Sequence, residues 1–317
     1  MKRRSLAILA LLLVSAVAAL WTPDKDRGAL ESRYVRDAGD LITVAGVRLH
    51  VRDTGPREAP VLVMLHGFGS SLHAWEPWAS ALQRDFRVVR FDLPGSGLSS
   101  PDPTGDYRDA RTLQVLTALL DTLHIARATL IGNSMGGRIA WSYAARHAAR
   151  VERLVLISPD GFASPGFAYG AAPDVPFTMT LMRYVMPKPL LTMSLAPAYA
   201  DPAAMTEALA SRYYDLMLVP GARAAMLARM RQTVLADPVP LLRTIQAPTL
   251  LLWGVQDQMI PFSNAADYLA AIPHATLVPL PALGHLPFEE APDRSLVPLR
   301  AFLDSTATAT ATSTSGR

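Results

Sequence analysis

Apolar residues recur along this chain in two rhythms that alternate from one end to the other. Val61 to Leu65 is an uninterrupted apolar run, the pattern of a strand buried on both faces. Phe86 to Phe91, Val151 to Ile157 and Thr249 to Trp253 are expected to be further buried strands, with a shorter strand at Ala128 to Ile131. Leu41 to Val44 and Val47 to Val51 flank Ala45-Gly46 as the arms of a hairpin would. Between these runs the period lengthens. Arg111 to Leu123 has helical spacing through Leu113, Leu116, Leu119, Leu120 and Leu123, and Arg138 to Arg146 reads as the next helix. Ala275 to Leu280 is expected to be the last strand despite Pro279. Asp293 to Leu303 is expected to be the last helix despite Pro298. Buried strands separated by helices imply a mostly parallel sheet covered on both faces, an α/β fold.

The rhythm breaks between residues 161 and 240. That stretch is rich in Pro and Met, with helical patterns at Met205 to Leu218 and Ala222 to Leu235. It is expected to be a helical lid inserted into a core made of residues 36–160 and 241–303.

The two ends have a different character. Lys2, Arg3 and Arg4 precede an apolar run from Leu6 to Leu20, the layout of an export signal. Ala16-Val17-Ala18 offers a small-x-small cleavage pattern, while Ser5 to Trp21 is near the lower limit for spanning a bilayer. Residues 1–21 therefore read either as a cleaved signal peptide or as an uncleaved membrane anchor. In both cases the basic end stays cytoplasmic and the remainder is exported, to the periplasm, the medium or the membrane surface. Residues 22–35 are polar and read as a linker. Residues 304–317 are Thr/Ala/Ser repetition, expected to be a disordered tail.

Composition narrows the chemistry. Lys plus Arg number 30 against 27 Asp plus Glu, and no basic patch is interleaved with aromatics, so nucleic acid is not an expected partner. There is no cysteine, which excludes disulfides, thiolate nucleophiles and Cys-based metal sites.

Gly132-Asn133-Ser134-Met135-Gly136 has the form G-x-S-x-G and lies between a predicted strand and a predicted helix. A sharp turn there exposes the serine oxygen, and its flanking glycines avoid side-chain clashes. A serine alcohol needs a neighbouring base, and the base needs an orienting acid. Of His124, His147, His274 and His285, the last fits best. It lies in Leu283-Gly284-His285-Leu286-Pro287, a loop after the last strand, where such sites form. Asp257, in the turn after Thr249 to Trp253, is the expected acid. Asp160, after Val151 to Ile157, is its rival. The developing oxyanion needs donors, and the backbone N–H groups of Met135 and Phe68 are the candidates. Gly67 lets the Phe68 loop turn toward the site, and His66 braces it. Asp92, in Phe91-Asp92-Leu93-Pro94-Gly95-Ser96-Gly97, reads as a structural turn residue.

Together these stretches, with Trp253-Gly254 to Pro261, resemble the α/β-hydrolase superfamily in its cap-bearing branch of esterases, lipases and C–C bond hydrolases. They occur in the family order over roughly residues 40–303. The resemblance implies an eight-stranded, mostly parallel sheet, a helical cap after the sixth strand and a Ser134–His285–Asp257 triad. Ester hydrolysis through an acyl-enzyme on Ser134 is the expected reaction, on acyl lipids or small acyl esters, with no metal or organic cofactor required. The Met-rich lid would then be a wall for the acyl chain. Asn133 beside Ser134, with Met135-Gly136-Gly137 following, also resembles C–C hydrolases of dienoic ring-cleavage products. A non-catalytic binding protein on the same fold would show a missing triad member, and none is missing.

Overall fold

A computed structural model describes residues 20–164 and 168–305. Eight strands form one sheet in the order β1-β2-β4-β3-β5-β6-β7-β8. They are β1 (Leu41–Val44), β2 (Val47–Thr54), β3 (Val61–Leu65), β4 (Arg87–Phe91), β5 (Ala128–Asn133), β6 (Val151–Ile157), β7 (Thr249–Gly254) and β8 (Ala275–Leu280). β2 runs antiparallel to β1 and β4, and every other pairing is parallel. Pro279 lies on β8, the outermost strand, where a sheet tolerates proline.

Along each central strand successive residues enter two separate cores, as a period of two requires. Val63 and Leu65 of β3 and Leu154 and Leu156 of β6 join one core. Leu62, Met64, Val155 and Ile157 join the other. This is why Val61–Leu65 and the stretch 154–157 of β6 are apolar throughout. In chain order the helices are α1 (Arg27–Tyr34), α2 (Glu76–Leu82), α3 (Asp109–Thr122), α4 (Met135–Arg146), α5 (Phe177–Thr180), α6 (Lys188–Leu195), α7 (Glu207–Met217), α8 (Ala222–Gln232), α9 (Val239–Leu242), α10 (Asn264–Ala271), α11 (Pro287–Glu290) and α12 (Pro292–Ser305). α3, α4 and α10 cover the first core, with Leu116, Leu120, Ile139 and Tyr268 buried there. α2, α11 and α12 cover the second, where Trp75 stacks on Phe288 at 4.0 Å and Leu299 is fully buried.

Between β6 and β7 the chain leaves the sheet and forms α5 to α9. Thr206 caps α7 by accepting the N–H of Leu209 at 3.2 Å. Met186, Leu191, Tyr213, Met217 and Leu218 give this excursion a small core of its own.

Residues 22–35 are not a linker. Asp26 caps α1, and the segment is fastened to the rest of the molecule by its charges. Asp215 of α7 accepts the Lys25 ammonium at 2.5 Å and the Tyr34 hydroxyl at 2.7 Å. Arg27 donates to the Leu98 carbonyl at 3.1 Å. A polar composition hides this, because what orders the segment is pairing with distant residues together with a single buried leucine, Leu30, which joins Leu98, Leu216, Val219 and Ala222 in a small core. α12 continues to Ser305, so residues 304 and 305 are helical, and residues 306–317, the rest of the expected tail, lie outside the described residues. So does most of the apolar N-terminal run. Among the described residues no helix is long and apolar enough to cross a membrane.

Candidate active site

Ser134 joins β5 to α4 at φ 54° and ψ −123°, a backbone conformation that a non-glycine residue rarely adopts. The flanking glycines are sterically necessary. A Cβ on Gly132 would lie 2.3 Å from the Gly136 carbonyl oxygen, and one on Gly136 would lie 2.2 Å from that of Leu65. Asn133 is fully buried, and its side-chain amide donates to the Ile157 carbonyl at 3.1 Å and the His285 carbonyl at 3.0 Å. It therefore ties the strand that presents Ser134 to the main chain of His285.

His285 follows β8 and Asp257 follows β7, so both stand at the carboxyl end of the sheet with Ser134. His285 Nδ1 lies 2.8 Å from Asp257 Oδ2. The other Asp257 oxygen accepts the N–H groups of Met259 at 2.8 Å and Ile260 at 2.9 Å. Burial opposes the Asp257 charge. The neighbouring His285, its hydrogen bond, the Ile260 N–H and the Ser158 hydroxyl outweigh burial and hold the carboxyl below its ordinary range. An ionised Asp257 accepts from Nδ1–H, which leaves Nε2 free to take a proton. The two loops meet backbone to backbone. A Cβ on Gly254 would fall 2.0 Å from the Gly284 carbonyl oxygen.

Ser134 and His285 open onto one solvent-open pocket, with Phe68, Met135, Met230, Met259 and Ile260 as its apolar wall. No direct hydrogen bond joins the Ser134 hydroxyl to His285, a looseness common in active sites without substrate. Asp160 lines the same pocket but does not meet the histidine. Its carboxylate accepts Arg138 Nε at 3.0 Å, and Arg138 also pairs with Asp109.

Among the described residues the N–H groups of Phe68 and Met135 have no hydrogen-bond acceptor. Met135 opens α4, where the first N–H groups have no intrahelical acceptor and the helix dipole favours negative charge. Gly67 brings the Phe68 loop against the elbow, since a Cβ there would lie 3.2 Å from Ser134 Cβ and 3.0 Å from Asn133 Oδ1. His66 is fully buried. Its Nδ1 is 2.8 Å from the Gly67 carbonyl and its Nε2 accepts the Leu93 N–H at 3.0 Å, so it is neutral with the proton on Nδ1. Burial pushes its pKa down. Asp92 holds the next loop. It accepts the N–H groups of Leu72 at 2.7 Å and Leu98 at 2.8 Å, and His50 Nδ1 is 2.9 Å away.

A group behind the histidine loop escaped sequence reasoning. The buried carboxylate of Glu289 accepts the hydroxyls of Tyr199 at 2.9 Å and Tyr213 at 2.7 Å, and pairs with Arg212. Glu290 accepts the N–H groups of Gly284 at 2.7 Å and Asp201 at 2.9 Å. The His285 N–H itself donates to Ala198 at 2.8 Å. The excursion is thus pinned to the histidine loop. The one signal in the chain is the pair of acids that follows Gly284-His285-Leu286-Pro287-Phe288. Among the described residues no cluster of His, Asp or Glu is arranged to hold a metal ion.

A model of the α/β-hydrolase fold matches residues 60–292. The chain belongs to that family. A 2-hydroxy-6-oxononadienedioate/2-hydroxy-6-oxononatrienedioate hydrolase from Pseudomonas putida is 31% identical over 274 residues, covering 81% of this chain and 91% of its own. The solved structure of a bacterial membrane phospholipase A superposes with a TM-score of 0.73 at 27% identity, covering 97% of this α/β-hydrolase and 99% of its own chain. A meta-cleavage product hydrolase variant superposes at 0.72 with 25% identity over 84% and 99%.

Proposed function

We propose that this α/β-hydrolase cleaves carboxylic esters of acyl lipids or small acyl compounds through an acyl-enzyme on Ser134. The observation that carries the reading is the His285–Asp257 pair at 2.8 Å, opening with Ser134 onto one apolar pocket. In this reading His285 Nε2 takes the Ser134 proton as the oxygen attacks the ester carbonyl. The tetrahedral oxyanion is received by the free N–H groups of Phe68 and Met135. The proton then passes to the leaving alcohol. Water, deprotonated by the same imidazole, releases the acid.

Two observations favour a lipid-like ester. The pocket wall is largely Met, Phe and Ile, and Arg138, its lining cation, is already neutralised by Asp109 and Asp160. One solved structure that covers nearly the whole chain is that of a membrane phospholipase A. The run from Leu6 to Leu20 behind Lys2, Arg3 and Arg4 fits an exported or membrane-anchored enzyme.

A second reading, cleavage of a C–C bond in a dienoic dicarboxylate, is favoured by the Pseudomonas putida relative and by Arg229. That guanidinium lines an adjoining pocket that shares Phe68 and Met135. Its recorded partners are the Pro94 and Tyr107 carbonyls and the Thr112 hydroxyl, with no carboxylate among them.

The test is a panel of p-nitrophenyl acyl esters beside a dienoic ring-cleavage product, run on the wild type and on Ser134→Ala. Ester turnover and fluorophosphonate labelling that both vanish in Ser134→Ala are the expected result. Unchanged ester turnover in that variant sinks the assignment. Turnover of the dienoate alone selects the second reading.

A further inference from the structure

The excursion between β6 and β7 turns an unusual amount of apolar surface outward. Phe177 is 77% exposed, Met193 71% and Leu190 59%, with Leu181 and Tyr184 nearly half exposed. All lie between residues 177 and 193. Phe177 and Leu181 are spaced to share one side of the α5 turn. Leu190 and Met193 share the outward side of α6, whose inward residue Leu191 already fills the local core. A helix facing water normally carries charge on that side. Here charge is scarce, and from Gly161 to Ala200 the only carboxylate is Asp174.

The N-terminal chain arrives at the same place. The Thr22 N–H donates to the Tyr184 carbonyl at 2.8 Å, and the Met186 N–H donates to the Thr22 hydroxyl at 3.0 Å. Trp21 pairs with Val185 and stacks on the Tyr184 ring at 5.5 Å. Arg223 fixes Asp24 at 2.6 Å. The attachment point thus falls in sequence between the two exposed apolar pairs. Trp21 is itself 52% exposed, and the residues before it are, apart from Ser15, apolar back to Leu6. A residue spans at most about 3.6 Å, so no spacer separates the apolar run from Tyr184. Wherever that run inserts, this surface follows within a residue or two.

We propose that the surface formed by Trp21, Phe177, Leu181, Tyr184, Leu190 and Met193 rests in the interfacial layer of a phospholipid bilayer. Trp and Tyr favour that layer, where a ring can sit half in hydrocarbon and half in water. Exposed Arg183 suits anionic headgroups, and the carboxylates that reach this face, Glu207 and Asp24, are paired with Lys188 and Arg223. Helix α8 of the same excursion supplies Met230 to the Ser134 pocket, so the proposed surface and part of the pocket's wall belong to one excursion. The proposal rests on the membrane placement of the N-terminal run.

The chain has no cysteine, so single-cysteine variants give unique labels. Full-length Phe177→Cys, Met193→Cys and, as a control at the opposite end of the sheet, Glu58→Cys would carry a bimane probe. Each would be placed in phosphatidylcholine/phosphatidylglycerol vesicles with and without brominated lipid. Blue-shifted emission and at least twofold quenching by bromolipid at 177 and 193, with neither at 58, is the expected result. Water-like emission at 177 and 193 while the chain stays in the vesicles overturns the docked surface and leaves the anchor standing. A blue shift without bromolipid quenching means that protein covers the surface, and it overturns the proposal equally. Release of the whole chain by alkaline carbonate removes anchor and surface together. As a functional arm, Phe177→Asp/Met193→Asp should lower turnover of a vesicle-borne phospholipid at least fivefold and leave a soluble short ester within twofold.

Discussion

Asp160 lines the Ser134 pocket and Asp257 stands behind it on His285, so the two acids have different neighbours. Asp257 faces His285 Nδ1, whereas Asp160 is paired with Arg138. Asp257→Asn removes the charge that stabilises an imidazolium and the acceptor that fixes its tautomer. Ester turnover should fall on the order of 10³–10⁴-fold, while Asp160→Asn should stay within about tenfold of wild type. Equal losses in the two variants would reject the assignment. Gly67→Ala tests the oxyanion loop. The added Cβ meets Asn133 Oδ1 at 3.0 Å and Ser134 Cβ at 3.2 Å, neither of which is the free end of a flexible chain. The Phe68 N–H should be displaced, and kcat should drop about 10²-fold with KM much less affected, measured on one soluble ester. At this scale Ser134, His285 and Asp257 could be read from the chain because each stands in a Gly-marked turn just past an apolar run. The engagement of Asp160 by Arg138 could not, since nothing in the spacing of an acid and a distant arginine says that they meet.

At the scale of elements the strands were the most legible part. A run such as Val61–Leu65, whose alternate residues fill two cores, contains no polar residue and so announces itself. Short polar helices are harder to read. Arg27–Tyr34 buries a single leucine, and it is held by Lys25, Tyr34 and Asp215, partners scattered along the chain. The same holds for the clasp between the excursion and the histidine loop, where Glu289 and Arg212 lie in different elements. That clasp predicts a large loss on truncation. Glu289→Ala leaves the Arg212 guanidinium buried beside two phenols with no counter-charge, and should cost about 3–5 kcal/mol. Replacing both partners, Glu289→Ala with Arg212→Leu, should cost less than Glu289→Ala alone, because no unpaired charge then remains. Denaturant titration of the two variants decides it, and a double variant as unstable as the single would show that the charge pair is not the cause.

Across the whole molecule the buried histidines set the response to acid. His73 is buried among Ser71, Tyr34 and Arg52, with Asp92, His50 and Arg212 near enough to act on its charge. Burial depresses its pKa to about 3, Arg52, His50 and Arg212 push the same way, and Asp92 opposes them without prevailing. A base whose folded pKa lies below its ordinary 6.5 binds fewer protons folded than unfolded in the interval between. Stability contributed by the neutral form is therefore complete above pH 6.5 and is lost as pH falls toward 3. At pH 5 this amounts to about 2 kcal/mol for His73, and His66 adds in the same direction. Carboxylates continue the trend lower down. Burial opposes the charges of Asp92 and Glu76, but His50 for the first and Arg90 and Arg36 for the second overcome it, holding each at about 2. Their contribution is present above their ordinary range and disappears as pH falls through it toward 2. Thermal melts from pH 8 to pH 4 should therefore show the midpoint falling from about pH 6.5 downward, before any carboxylate protonates. In His73→Gln the segment between pH 6.5 and 5 should flatten by about 2 kcal/mol. A midpoint that stays level down to pH 5 in the wild type, or an unchanged slope in His73→Gln, would mean that this histidine is not held neutral by the fold.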